Sequence, residues 1–165
     1  MKRTKELLKK LDKEDFNTDE LHSAICLDIS DNLGADLVSL WSFDSELSQI
    51  ECLFCLDTTS NESSSAQVLK RNDFPTYFSY IVEDNVVCAP NARTHFATKE
   101  LTEKYFKPNG IVSLLDFILQ KDFKPSGIIC CEARKSEIDW TVAHRTYLRS
   151  IASLISFRFD IIKNS

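Results

Sequence analysis

The sequence predicts an α+β domain with a central antiparallel sheet of about five to six strands. The apolar runs are short, and tight polar turns link most of them, which favours hairpins over parallel βαβ units. Segments with helical apolar spacing precede and follow these runs, so we expect helices to cover the sheet. The candidate strands cover residues 37–43, 49–56, 67–69, 86–89, 110–119 and 127–132.

The N-terminal part predicts a charged lead-in followed by an amphipathic helix. Residues 1–16 are charged and helix-prone, and we assign them as a lead-in to a globular domain over residues 17–163. Asn17 or Thr18 can cap the helix, and Gly34 can end it in a left-handed conformation. One apolar stripe along this helix is formed by Leu21, Ile25, Ile29 and Leu33.

The middle of the chain predicts two short helices on either side of the brief strand 86–89. Asp73 as a cap and Pro75 in the first turn are typical of a helix start. Aromatic residues after Pro75 give this helix an apolar face. A second helix is predicted from Thr98 to about Phe106, with residues 108–110 as its stop.

A long C-terminal helix is predicted to begin at residues 139–141 and to carry two apolar stripes. Two stripes on one helix require two partners. We expect one partner to be the sheet and the other to be a second subunit, although a wide face packed within the monomer is the alternative. The first stripe is Leu148, Ile151, Ile155, Phe159 and Ile162, and the second is Tyr147, Leu154 and Ile161.

Two apolar strands are each interrupted by an acid, Asp116 and Glu132. An ionised carboxylate is costly to bury unless a donor pairs with it, so the sheet is expected to border something polar. Arg93, on a loop between elements, is a candidate for contact with a ligand or for a structural pair with one of these acids. Ser113 and Asp116 lie on opposite faces of a regular strand, and we expect Ser113 to face the pocket.

The six cysteines are predicted to be reduced thiols, because no export signal precedes them. Cys52 and Cys55 have the spacing of a zinc knuckle, but residues three apart on a regular strand point to opposite faces. Cys130 and Cys131 are adjacent on one strand, so their side chains also point to opposite faces. The pattern therefore predicts no metal site, and no triad or phosphate-binding glycine loop indicates catalysis.

The overall composition excludes several classes of function. The net charge of −5 over 165 residues disfavours general nucleic-acid binding. No apolar run approaches the roughly 20 residues needed to span a bilayer. The basic N-terminus has no apolar core or cleavage site of a secretory signal, so we expect a cytoplasmic protein.

Five segments keep an order and a spacing that are typical of one family. They are Val38–Asp44, Phe74–Phe78, Asn91–Thr94, Leu101–Asp116 and Trp140–Thr141. Together they resemble the GAF domain family, in particular the sensory GAF modules placed ahead of bacterial histidine kinases and diguanylate cyclases. The resemblance extends from about Asp36 to Phe159.

This resemblance implies a sheet between two layers. Terminal helices would cover one face and form a dimer contact, while short helices and loops would enclose a ligand pocket on the other. The residues expected to line that pocket are Trp41, Tyr77, Tyr80, Asn91, Arg93, Phe96, Tyr105, Ser113, Asp116 and Glu132.

The resemblance also bears on the ligand. Cyclic-nucleotide-binding members carry an Asn-Lys-Phe-Asp-Glu set, whereas Asn91 is followed here by Ala92 with no matching lysine. The His-containing segment through which bilin-binding members attach their chromophore is not found either. No cofactor is therefore assigned.

The expected function is that of a small-molecule-sensing regulatory domain of a bacterial signal-transduction protein. Ligand binding would be coupled to the geometry of the terminal helices in a homodimer, and the output would lie in a kinase or diguanylate cyclase type of domain or partner. One alternative is a ligand-free dimerisation module. Another is a thiol enzyme of the free-methionine sulfoxide reductase type using Cys88 with Cys130 or Cys131, although that enzyme's characteristic cysteine spacing is missing.

Overall fold

A computed structural model describes residues 1–10 and 17–163, apart from the side chain of Ile161. The α-helices are α1 (Lys2–Leu8), α2 (Thr18–Leu33), α3 (Pro75–Asp84), α4 (Lys107–Asn109), α5 (Val142–Ser156) and α6 (Phe159–Lys163). A 3₁₀ turn covers Lys99–Leu101, and a π-helical turn covers Thr102–Phe106. The strands are β1 (Leu37–Phe43), β2 (Gln49–Asp57), β3 (Glu62–Ser64), β4 (Val68–Lys70), β5 (Val86–Ala89), β6 (Ile111–Lys121) and β7 (Lys124–Arg134).

The strands form one antiparallel sheet in the order β3-β2-β1-β7-β6-β5, with β4 also paired to β2. This confirms the predicted α+β fold and both predicted hairpins. The described sheet has seven strands rather than five or six. The extra strand is β3, which lies within the polar stretch that was predicted to be a loop and pairs with residues 55–57 of β2.

The helices α2, α5 and α6 cover one face of the sheet, which we call the helix face. All four residues of the predicted α2 stripe and all five of the first C-terminal stripe are buried there. In the second stripe, Tyr147 and Leu154 are half-buried, and the side chain of Ile161 lies outside the described residues. The lead-in is helical over α1, which packs against α2, whereas residues 11–16 lie outside the description.

The C-terminal helix was predicted to be continuous, and this is wrong. Helix α5 begins after the N-cap Thr141, whose hydroxyl accepts from the backbone N–H of His144, and it ends at Ser156. Residues 157 and 158 form a turn, and α6 follows. The turn brings the ring of Phe159 over Gly127 in β7, where no side chain occupies the space. Phe157 is left 85% exposed.

Two further helix ends differ from the prediction. Asp73 does not cap α3, because the N-cap is Phe74, although Pro75 does occupy the first turn. The segment predicted to end near Phe106 continues through the π-helical turn and α4 to Asn109. Gly110 then stops it in the left-handed conformation at φ 70°, which confirms the stop predicted at residues 108–110.

A bulge in β2 places two cysteine side chains on the same face of the sheet, where a regular strand would separate them. Leu40 pairs with Phe54 and Trp41 pairs with Cys52, so Leu53 is an extra residue in β2. As a result Cys52 and Cys55 both belong to the core on the face opposite the helices. The prediction that they point to opposite faces is wrong, because it assumed a regular strand.

No helix among the described residues is long and apolar enough to cross a membrane.

Candidate functional site

Three segments cover the second face of the sheet: α3, the loop after β5, and residues 99–109. We call these three segments together the lid. The lid is fixed to the start of β6 by two bonds to backbone carbonyls. The N–H of Ala92 donates to the carbonyl of Val112 (2.9 Å), and Nε of Arg93 donates to the carbonyl of Ile111 (2.8 Å). Aromatic side chains from sheet and lid fill most of the space between them, and among them are Trp41, Tyr77, Phe78 and Phe106.

Asp116 lies in the middle of this apolar layer. It is 1% exposed, and its Oδ2 accepts a hydrogen bond from the hydroxyl of Tyr77 in α3 at 2.5 Å. Its Oδ1 has no hydrogen-bond partner among the described residues. The neighbouring strand places Cys130 directly opposite in the ladder. Asp116 is therefore a buried carboxyl group with one strong donor from the lid.

Glu132 repeats this arrangement on the next strand. It is also 1% exposed, and its Oε1 accepts a hydrogen bond from the hydroxyl of Tyr105 in the π-helical turn at 2.9 Å. Its Oε2 is buried without a partner among the described residues. Because Glu132 is paired across the ladder with Leu114, two residues from Asp116, the two carboxyl groups share one face of adjacent strands.

Burial makes both acids weak. Loss of water around Asp116 raises its pKa to about 7, although the hydroxyl of Tyr77 and the thiol of Cys130 oppose the shift. Burial and the charge of Asp116 raise the pKa of Glu132 to about 8 against the effect of the Tyr105 hydroxyl. We therefore expect Glu132 to be largely protonated at neutral pH and Asp116 to be near its midpoint.

A cavity of about 210 Å³ adjoins the Tyr105 end of this layer. Its inner wall includes Trp41 and Tyr105, and its outer rim is polar. Arg134 stiffens one side, because its guanidinium donates to Oδ2 of Asp57 (2.7 Å) and to the carbonyl of Asn109 (2.8 Å). The other lining residues are Leu37, Cys52, Cys55, Ser60, Glu62, Ser63, Ser64, Ser65 and Gln67.

Comparison with solved structures identifies the architecture. A fragment of a methyl-accepting chemotaxis protein (residues 122 to 287) is 14% identical and superposes with a TM-score of 0.73, covering 96% of this chain and 95% of that one. The GAF domain of a phosphoenolpyruvate-protein phosphotransferase from Coxiella burnetii is 13% identical, with a TM-score of 0.66 and coverage of 96% and 91%. The chain has a GAF fold.

Phytochromes also share this fold. The chromophore-binding domain of an unusual bacteriophytochrome from R. palustris is 10% identical, with a TM-score of 0.73, and covers 99% of this chain. The chain spans 60% of that domain, and 58% of the corresponding domain from Stigmatella aurantiaca. No protein-family model matches the sequence, and no curated protein matches it.

Within the GAF fold, the predicted ligand residues fall into distinct groups. Trp41 and Tyr105 line the cavity. Tyr77, Asp116 and Glu132 lie in the buried layer beside it. Whether any of them contacts a ligand stays a prediction. The remaining five, described next, lie elsewhere.

The expected orientation of Ser113 is wrong. The β6–β7 ladder shifts register between Ile111 and Ser113, and Ser113 lies on the helix face, where its hydroxyl accepts from the N–H of Ile138 at 3.2 Å. The structural pairs proposed for Arg93 are also wrong. Arg93 binds the carbonyl of Ile111, while tyrosine hydroxyls hold Asp116 and Glu132.

The other predicted residues lie at the outer edge of the lid. Asn91 is exposed, and Tyr80 is half-buried. Phe96 is 58% exposed and stacks against His95 with ring centroids 5.0 Å apart. Among the described residues that line the cavity, none of these three is found.

Sequence reasoning missed Asn109 and Arg134 as walls of the cavity. Asn109 is one residue before the helix-ending Gly110, and Arg134 is the last residue of β7. A basic residue two positions after a buried acid on one strand shares that acid's face, and this spacing from Glu132 could have identified Arg134. No such signal exists for Asn109. Among the described residues, no group of three metal-binding side chains is present.

Proposed function

We propose that this chain is the sensory GAF domain of a signal-transduction protein, which binds a small molecule in the cavity beside Tyr105. The observation that carries the proposal is the combination of a lined cavity and a buried polar group directly behind its wall. Buried polar groups without partners are costly, and they are found where a ligand can complete their hydrogen bonds. The chemotaxis protein, phosphotransferase and bacteriophytochrome among the similar structures support a signalling context.

The strands supply a route from the cavity to the helices. In β7, Glu132 faces the lid, while its neighbour Cys131 packs in the core of the helix face. A ligand that changes the contact between Tyr105 and Glu132 would therefore act on a strand whose other side supports α2 and α5. To shift the helices, the ligand must bind one of their arrangements more tightly than another.

We propose further that two copies of the domain pair through their terminal helices. The support is the outer surface of α5 and of the turn after it, where Tyr147 and Leu154 are only half-buried and Phe157 is 85% exposed. A Phe157→Asp variant should dissociate the dimer in analytical ultracentrifugation. The matched control is Phe96→Asp, because Phe96 is 58% exposed at the outer edge of the lid, on the opposite face of the sheet. Equal behaviour of the two variants would contradict this interface.

The sensor proposal is tested by a thermal-shift screen of metabolites and nucleotides, together with mass spectrometry of any molecule that copurifies. A ligand at 100 times its Kd stabilises a protein by about 2.7 kcal/mol, which raises Tm by several degrees. A Cys55→Phe variant fills the cavity and should abolish the shift. A Cys88→Phe variant is the control, because Cys88 is also half-buried but packs against the helix-face core. No stabilising ligand and no copurifying molecule would overturn the proposal.

A ligand-free dimerisation module is the second candidate, and one observation favours it. The aromatic side chains fill most of the space under the lid, and the remaining 210 Å³ is smaller than the roughly 300–1,000 Å³ of common ligand pockets. In that case Cys55→Phe would raise or preserve Tm, and no metabolite would shift it. We do not propose thiol catalysis, because burial raises the pKa of Cys130 and Cys131 far above the range of a reactive thiolate.

A further inference from the structure

We propose that the cavity binds a small molecule through a protonated amino group, which donates a hydrogen bond to the free carboxyl oxygen of Glu132. This inference rests on the proposed sensory function and names the class of ligand for the same cavity. It follows from the position of Glu132, from the charges and rings around the cavity, and from its size.

Glu132 lies directly behind the cavity wall. Its hydrogen-bond donor Tyr105 and its cross-strand partner Leu37 both line the cavity. Its charge also acts on Cys52 and Cys55, two further lining residues, and contributes to raising the pKa of each thiol. The buried Oε2 has no partner among the described residues, so one acceptor position remains. Glu132 does not itself line the cavity, so a ligand reaches Oε2 by displacing a side chain of the wall such as that of Tyr105.

The charges at the wall favour a cation over an anion. The lining contains the carboxylates of Asp57 and Glu62 and one guanidinium, that of Arg134. The Arg134 guanidinium is already engaged by Asp57 and by the carbonyl of Asn109. An anionic ligand would face Glu62, and above about pH 8 also the carboxylate of Glu132, with little compensating charge. An ammonium group would neutralise Glu132 and form a charge-assisted hydrogen bond, which is stronger than a neutral one.

Two aromatic rings complete the environment for a cation. Trp41 and Tyr105 line the cavity and stand edge to face, with ring centroids 6.4 Å apart. Aromatic faces attract ammonium groups, and Trp does so most strongly. The volume of about 210 Å³ equals that of about seven waters at roughly 30 Å³ each, which fits a short alkylamine.

The protonation of Glu132 governs this binding. At pH 6 the carboxyl is protonated and has no charge to offer, whereas the carboxylate forms as the pH rises through about 8. Simple alkylamines stay protonated to about pH 10. Affinity for an amine is therefore expected to rise with pH between 6 and 8.5, by up to about tenfold per pH unit. The titratable and charged groups that face Glu132 are Tyr105, Asp116, Cys130, Arg134, Cys52, Cys55 and Tyr77.

The test uses three four-carbon probes of nearly equal size, n-butylammonium, n-butanol and butyrate. Each is titrated into the ¹⁵N-labelled chain at pH 6.5 and at pH 8.5, and amide shifts are followed by NMR. We expect n-butylammonium to bind best, to bind more tightly at pH 8.5, and to shift the amides around Trp41 and Tyr105. Equal responses to the three probes, or tighter binding of the amine at pH 6.5, would overturn the inference.

Two variants test whether n-butylammonium binds to the carboxyl group of Glu132. Glu132→Gln keeps the shape of the side chain and should weaken n-butylammonium binding by at least about tenfold, since it removes a charge-assisted hydrogen bond. Asp116→Asn should keep binding and move its pH dependence to lower pH, because the charge of Asp116 raises the pKa of Glu132. The Asp116 variant and the wild-type pH profile remain decisive if Glu132→Gln fails to fold. Unchanged amine binding in folded Glu132→Gln would contradict the site.

The combined results distinguish a failure of the amine inference from a failure of the sensory function on which it rests. If a metabolite from the screen binds at the cavity but n-butylammonium does not, the amine class is wrong and the sensory function stands. If neither binds and Cys55→Phe changes nothing, the sensory function itself is wrong.

Discussion

The two faces of the sheet bury carboxyl groups in different ways. On the helix face, Asp28 in α2 is 3% exposed and accepts hydrogen bonds from the N–H and the hydroxyl of Thr4 and from the guanidinium of Arg3. On the lid face, Asp116 and Glu132 are 1% exposed, and each accepts from one tyrosine hydroxyl.

The depth of burial and the number and charge of the donors together decide the ionisation of each group. Burial works against the charge of Asp28, but the donors of Thr4 and Arg3 outweigh it and lower the pKa. At Asp116, burial outweighs the hydroxyl of Tyr77 and the thiol of Cys130 and raises the pKa to about 7. At Glu132, burial and the charge of Asp116 outweigh the hydroxyl of Tyr105 and the charge of Arg134 and raise the pKa to about 8. Asp28 lies on the α1 side of α2, is less deeply buried and has more donors, so it is a structural carboxylate, whereas deep burial makes Asp116 and Glu132 a pair of titratable acids.

The two sites are expected to affect stability in opposite directions as the pH changes. A lowered pKa stabilises the fold at neutral pH, and that contribution is lost as the pH falls through the folded value. A raised pKa stabilises the fold in acid, and that contribution is lost as the pH rises from the unfolded values of 3.8 and 4.5 through about 7 and about 8.

The largest expected effect is the loss of this pH dependence in the double variant Asp116→Asn/Glu132→Gln. Between pH 5 and pH 7, each acid is protonated in the folded state and largely ionised in the unfolded state, which costs about 1.4 kcal/mol per pH unit. The free energy of unfolding of the wild type should therefore fall by several kcal/mol over this range in urea titrations. The double variant should show a much flatter profile.

A matched control for this experiment is Asp28→Asn, which should leave the downward slope between pH 5 and pH 7 in place. If the wild-type profile is flat there, or if the double variant keeps the full slope, the acids are not protonated in the folded state.

The next effect concerns the helix face. Asp28→Ala removes the acceptor for two polar groups of Thr4, a residue that is fully buried in α1. Unsatisfied buried donors are costly, so we expect a loss of about 2 kcal/mol at pH 7, measured by urea unfolding. The loss should shrink in acid, where the wild-type carboxyl becomes protonated. Asp31→Ala is the control, because Asp31 is exposed and shares only the Arg3 contact. An equal loss in both variants would refute the special role of Asp28.

The smallest effect is expected from the tyrosines of the lid face. Tyr105→Phe and Tyr77→Phe each remove one hydroxyl from a buried carboxyl group, at a cost of about 1 kcal/mol. The cost should increase between pH 6 and pH 8.5, because the hydroxyl matters most to the carboxylate. Tyr80→Phe, which changes a half-buried ring outside this pair, should show no such increase. Identical pH profiles for all three variants would exclude the tyrosine–carboxyl bonds as determinants of ionisation.

Much of the fold was predictable, because it depends on local periodicity. The α2 stripe from Leu21 to Leu33 follows from helical spacing, and Asn17 and Gly34 occupy the cap positions that their chemistry favours. The hairpin β6–β7 follows from two apolar runs joined by a short polar turn. The burial of Asp116 and Glu132 follows from their place in those runs.

The parts that were not predictable depend on register or on tertiary packing. The extra residue Leu53 places Cys52 and Cys55 on one face, and nothing in the local sequence marks the bulge. Ser113 and Asp116 lie on opposite faces of β6 as predicted, but which of these faces carries the lid depends on the packing of the whole domain. The partners of Asp116 and Glu132 come from lid segments, so only the assembled structure identifies Tyr77 and Tyr105.

The most direct test of the account is a measurement of the two carboxyl pKa values in the folded domain by ¹³C NMR of the side-chain carboxyl carbons, assigned with Asp116→Asn and Glu132→Gln. We expect two apparent pKa values near neutral, about 7 and about 8, and a pKa of Asp28 lowered from its usual 3.8. Values near 4 for both lid-face acids would contradict it.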